Sequence, residues 1–161
     1  MTPYEYTTSK RGRVLEALRL LMASITVANG YWTDVQVART YSAHKTVLGS
    51  AMPAVCVLPT ADNRTEARIC AEDEYRMTVE IIGAVRVAGE SDSWKEQAHK
   101  FAGDVQQALS SDRQLGGLVV FMEAEGLEIA DADTSGGMAT LSGFALATTI
   151  VYRVAVADVS A

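Results

Sequence analysis

An alternation near the end of the chain limits the fold more than any other feature. Phe144, Leu146, Ile150, Tyr152, Val154 and Val156 fall on one face of a strand predicted over 141–156. At about 3.3 Å per residue such a strand, if continuous, spans roughly 50 Å, while a globule of this length has a radius of gyration of roughly 15 Å. The strand must bend, break or project beyond its own core, and a projecting strand needs a partner. A second alternation is as clear: Tyr75, Met77, Val79, Ile81, Val85 and Val87 share one face, and Arg76, Thr78, Glu80 and Arg86 share the other. One apolar and one polar face is the pattern of a half-buried antiparallel strand.

Helical spacing occurs twice. Val14, Leu15, Leu18, Leu21, Met22 and Ile25 form one apolar stripe; Ser9 offers a side-chain oxygen to the orphan amides of its first turn, and Asn29 and Gly30 stop the helix. Trp94, Ala98, Phe101, Val105, Ala108 and Leu109 form the second stripe, capped by Ser91 or Ser93. Gly103 lies inside it at a cost of about 1 kcal/mol relative to Ala, which suggests close packing against a neighbour.

Shorter strands are predicted over 34–40 and 53–58, with a polar loop over 41–52 between them. A charged connection follows over 59–72, and a strand over 118–131 carries a bulge near Gly126. The order α-β-β-β-α-β-β predicts an α+β fold: an antiparallel β-sheet of four to five strands with two amphipathic helices packed on one face. With 161 residues the chain fits a single domain over 1–161, with 1–8 as a flexible N-terminal arm.

The net charge of -6 argues against a surface that neutralises phosphates, since such binding depends on clustered Lys and Arg. The cations that do cluster, Lys10, Arg11 and Arg13, sit at the start of the first helix, where they oppose its macrodipole. No apolar run is long enough to span a membrane and 1–13 lacks the apolar core of a signal peptide, so a soluble protein made in the cytoplasm is expected. Cys56 and Cys70 form no CxxC pair and are expected to be reduced. They are equidistant from Asn63, so a hairpin folding there would set them face to face, and their pairing stays open.

Chemistry is sparse. His44, beside Tyr41, Ser42 and Lys45, could act as a base, but no nucleophile elbow accompanies it, and His99 reads as a surface residue of the second helix. No phosphate-binding glycine loop occurs. Asp131, Asp133 and Ser135, followed by Gly136, copy the first half of a calcium loop, yet Ser142 stands where the bidentate Glu belongs and the flanks read as strands. An acidic hairpin tip is the simpler account. Glu123, Glu125, Glu128, Asp131 and Asp133 then read as a solvated or pore-lining acidic face, with no sugar platform beside them to suggest a hydrolase. No cofactor and no catalytic residue is predicted.

The segments RVLEALRLLMASI, PAVCVLP, YRMTVEIIGAVRV, WKEQAHKFAGDVQQALSSD, GGLVVFMEAEGLEI and FALATTIVYRVAV, in that order, resemble the tail terminator proteins of tailed bacteriophages over nearly the whole chain. The resemblance implies a hexameric ring in the tail or neck of the virion, assembled in the host cytoplasm. Such a ring caps the tail tube protein, stops its polymerisation and docks the head-tail connector or stopper protein. DNA passes through the lumen without specific binding, and there are no catalytic residues to carry over. Six copies would carry roughly -36 charges, which suits a channel that repels phosphate. Assembly contacts are then expected from Tyr41, His44 and Lys45, from Asp62, Arg64, Glu66 and Arg68, and from Asp131 and Asp133. The alternatives are another neck or tail-completion protein, such as a stopper or tube subunit, a small metal-dependent hydrolase, and a ligand-binding domain.

Overall fold

The computed structural model describes residues 9–40, 51–69, 71–86, 93–130 and 141–155, with backbone alone at 66–69, 93, 94, 130 and 141. The C-terminal alternation folds as one uninterrupted strand, and the chain itself supplies the partner. The described strands are β1 (Val37–Thr40), β2 (Ala54–Ile69), β3 (Glu72–Arg86), β4 (Phe121–Ala130) and β5 (Leu141–Ala155). β3 accompanies β5 throughout, from Glu72 opposite Ala155 to Arg86 opposite Leu141. The sheet order β1-β2-β3-β5-β4 places β3 at the centre, so the long strand neither breaks nor projects alone.

The fold is α+β, with α1 (Lys10–Ala23) packed over β1 and β2, and α2 (Ser93–Ser111) packed over β3, β5 and β4. Several expectations change in detail. The sheet is mixed: β1 runs parallel to β2, Val37 opposite Ala54, and a parallel pair cannot be joined by a tight turn, which is why the connection over 41–53 is long. The segment 59–72 is mostly strand, because β2 continues to Ile69 and turns straight into β3. Its charge disguised it. Beyond β1 this half of β2 is a sheet edge, and it carries what edges carry: Pro59, which cannot donate to a ladder, and register shifts between Pro59 and Ala61 and between Arg64 and Arg68.

The reversal therefore falls after Ile69 and not at Asn63. Asn63 faces Arg76, Cys56 faces Ile82, and the symmetry that would have set Cys56 against Cys70 is absent. Cys70 itself lies outside the described residues. The strand expected over 34–40 begins only at Val37, although Val35 is buried and its N–H donates to the Ile25 carbonyl. The strand expected over 118–131 is Phe121–Ala130, with its bulge between Ala124 and Gly126.

Ser9 caps α1, its Oγ accepting from the Gly12 N–H at 3.0 Å. The helix ends at Ala23, earlier than the stripe suggested; a short 3-10 turn over Val27–Asn29 follows and closes on Gly30, whose φ of +89° favours glycine. Val14, Leu15, Leu18 and Met22 from α1, with Phe101, Ala102 and Val105 from α2, pack on Met77, Val79, Ile81, Leu146 and Ile150 in one core. Each large side chain buried this way contributes about 1.5–3 kcal/mol. Phe101 meets Phe144 edge-on at 5.1 Å, directly over Gly83. Gly103 has no comparable duty: it is exposed, and a Cβ added there would meet nothing within 4 Å.

Candidate assembly surface

The helices cover only one face of the sheet. The other face carries Thr78, Ala145, Ala147 and Thr149 and holds an open hollow bordered by Thr60, Glu80 and Glu128; toward β1 it carries a second, smaller apolar cluster in which Val37, Met52, Leu58 and Ala84 pack against the buried Ala54 and Cys56, and Ile82 and Val151 on this face are also buried. The β4 bulge decides what surrounds the hollow. Without an inserted residue, Glu123, Glu125 and Leu127 would share this face and Glu128 would turn to the helices. The register shift at Gly126 reverses the parity, so Glu128 pairs opposite Ala145 on the uncovered side and Leu127 opposite Leu146 on the helix side. Glu123, Glu125 and Glu128 thus stand together along the free edge of the sheet. Glu125 accepts a hydrogen bond from Thr149 Oγ1 at 2.6 Å, which fixes one carboxylate to the sheet. Neither Glu123 nor Glu128 has an ion-pair partner among the described residues.

A polar cluster holds the opposite end of the helical layer. Tyr152 donates to Asp62 Oδ2 at 2.6 Å, Arg11 Nε approaches the same oxygen at 3.5 Å, and Tyr75 stacks on Tyr152 at 5.5 Å. Asp62 Oδ1 is buried with no hydrogen-bond partner among the described residues. Burial first, then the hydrogen bond to Asp62, push the Tyr152 phenol far above its ordinary value of 10.0. The folded state thus favours the neutral phenol. The associated stability is full below about pH 10, where the unfolded tyrosine is also neutral, and is lost as pH rises and the unfolded state releases its proton first. Urea midpoints should therefore fall more steeply above about pH 10 for the wild type than for Tyr152→Phe, which starts less stable at neutral pH. Parallel curves would sink this account.

Asp62, expected at an interface, is partly buried and ties β2 to β5 and α1 within the chain. Arg64 is half exposed and lies 3.7 Å from the buried Asp73. Glu66 and Arg68 belong to the end of β2, where only the backbone is described. Tyr41, His44, Lys45, Asp131, Asp133 and Ser135 lie outside the described residues, as does the arm over 1–8. His99 is exposed on α2. Among the described residues no three His, Cys, Asp or Glu side chains are grouped to hold a metal, and no helix is long and apolar enough to cross a membrane.

Asp104 sits on the apolar side of α2, 2% exposed, and accepts from the backbone N–H of Trp32 at 3.2 Å and of Thr33 at 2.7 Å. It pins the loop after α1 to α2 and presents Trp32, 77% exposed, beneath Lys100 Nζ at 5.2 Å from the ring centre. Only the oddity of an acid at a buried helical spacing hints at it. Compared with known proteins, the chain matches no protein-family model and no curated protein.

Proposed function

We propose that the chain is a structural subunit of a phage tail terminator ring, which caps the tail tube, stops its polymerisation and offers the docking surface for the head connector. The observation that carries this reading is a long sheet whose β4 margin is left open. A sheet roughly 50 Å long has helices on one face only, and its free β4 edge bears glutamates and the exposed Phe121. The hollow beside Glu80 and Glu128 and the β4 edge stay open, and a subunit that repeats around an axis has a neighbour to place on them. The net charge of -6 per copy suits a ring through which DNA slides without binding.

Purified chain is expected to form closed rings, alone or at the ends of tail tube filaments, in native mass spectrometry and negative-stain images. Filaments should stop growing where it binds. A chain that stays monomeric at high concentration and leaves tube ends bare removes the reading, and one that itself grows into long filaments marks a tube subunit instead.

A further inference from the structure

Lys10 and Arg13 lie in the first turn of α1, where no acidic residue accompanies them and where positive charge opposes the helix dipole. Neither has an ion-pair partner among the described residues. Arg13 and Leu20 are two helical turns apart and so share one stripe, which points away from the buried Val14, Leu15 and Leu18. Leu20 is 55% exposed, and Val27, in the turn that follows the helix, is 60% exposed. The stripe therefore carries Lys10 and Arg13, unpaired among the described residues, at one end, the Glu16–Arg19 pair in its middle and the exposed Leu20 at the other end.

β4 carries the complement. Glu123 and Glu128 are unpaired carboxylates among the described residues, and Phe121 and Leu127 are the exposed large apolar side chains of that strand. The two surfaces stand at opposite sides of the fold: α1 packs over β1 and β2, at one margin of the sheet, and β4 is the other margin. One copy cannot bring them together. A row of copies can, because each presents its α1 side to the β4 side of the next, and such a heterologous contact closes into a ring when the rotation between neighbours allows. Direct strand addition at β4 is disfavoured by its bulge and its glutamates, so a side-chain contact suits this edge better than a continued sheet.

We propose that copies of this chain join head to tail, the outward stripe of α1 in one copy seating on the β4 edge of the next, with Lys10 and Arg13 facing Glu123 and Glu128. This rests on the ring reading above and adds to it the surfaces that meet.

Charge exchange tests it. Lys10→Glu with Arg13→Glu makes both surfaces acidic, and Glu123→Lys with Glu128→Lys makes both basic. The first pair places acids where the helix dipole favours them, and the second lies on an exposed edge, so both variants should melt like the wild type in circular dichroism. Assembly is read by native mass spectrometry over a concentration series and, in parallel, by counting capped tube ends. Each variant alone should need at least about tenfold more protein than the wild type to assemble, as expected for lost complementary charge. An equimolar mixture should recover the wild-type midpoint in species with equal copies of both, since each variant's α1 then complements the other's β4. Variants that assemble like the wild type, or a mixture that fails to recover, overturn this contact while leaving the ring reading in place. A wild type that assembles in neither setting removes both.

Discussion

Gly83→Ala should cost about 3 kcal/mol and lower the melting temperature by roughly 6–12 °C. A Cβ at Gly83 would come 2.6 Å from Phe144 Cζ and 2.9 Å from Phe101 Cε1, and closer still to Phe144 Cε1. Neither ring can retreat. Phe101 and Phe144 are both 1% exposed and locked edge to face, and the backbone beneath them is pressed in turn by Gly143, where an added Cβ would lie 2.6 Å from the Gly83 carbonyl oxygen. The strain should vanish when the ring does: in a Phe144→Ala background the same change at Gly83 should cost under about 1 kcal/mol, although that background is itself about 3–5 kcal/mol weaker. Equal costs in both backgrounds would show that the aromatic contact is not the cause.

Asp104→Ala is expected to cost about 3 kcal/mol, because it strips the acceptors from two backbone N–H groups, that of Thr33 buried and that of Trp32 partly buried. Amide exchange at Trp32 and Thr33 should accelerate together, while amides of β3 slow or speed only with global stability. Asp104→Asn keeps one oxygen and turns an N–H2 toward the other amide, so its loss should fall between those of the wild type and the alanine variant. Unchanged exchange at both amides in the alanine variant would falsify the clamp.

The alternations that named β3 and β5 were legible because each strand has one dry and one wet face, so period two survives in the sequence. Even the β4 bulge was written there, in the shift from Glu123 and Glu125 at odd positions to Glu128 at an even one across Gly126. The outer half of β2 was not. Residues 59–65 lie at an edge with both sides partly wet, so no alternation marks them, and Pro59 and the charges around Arg64 imitate a loop. The parallel pairing of β1 was hidden for another reason: direction is set by how the connection over 41–53 travels, which no local pattern encodes. Asp62 and Arg64 stand out in the sequence by charge, but their intramolecular partners Tyr152 and Asp73 are not legible there: Tyr152 lies ninety residues from Asp62, and no local pattern pairs Arg64 with Asp73. The β4 glutamates were seen as one acidic group. The cations Lys10, Arg11 and Arg13 are equally visible in the sequence, but not that Arg11 turns to Asp62 or that their helix and β4 occupy opposite margins of the sheet.

The central place of β3 also sets a schedule. β2 and β3 are joined by a tight reversal and can zip as soon as both exist, but the second side of β3 is filled only by residues 141–155, the last described stretch of the chain. Closing that pairing brings together segments separated by α2 and β4, the kind of distant contact that slows folding. A nascent chain lacking those residues leaves β3 with a row of unpaired backbone groups and the aromatic seat at Gly83 without Phe144. The sheet is thus closed by residues 141–155, and without them β4 loses the strand through which it joins the sheet.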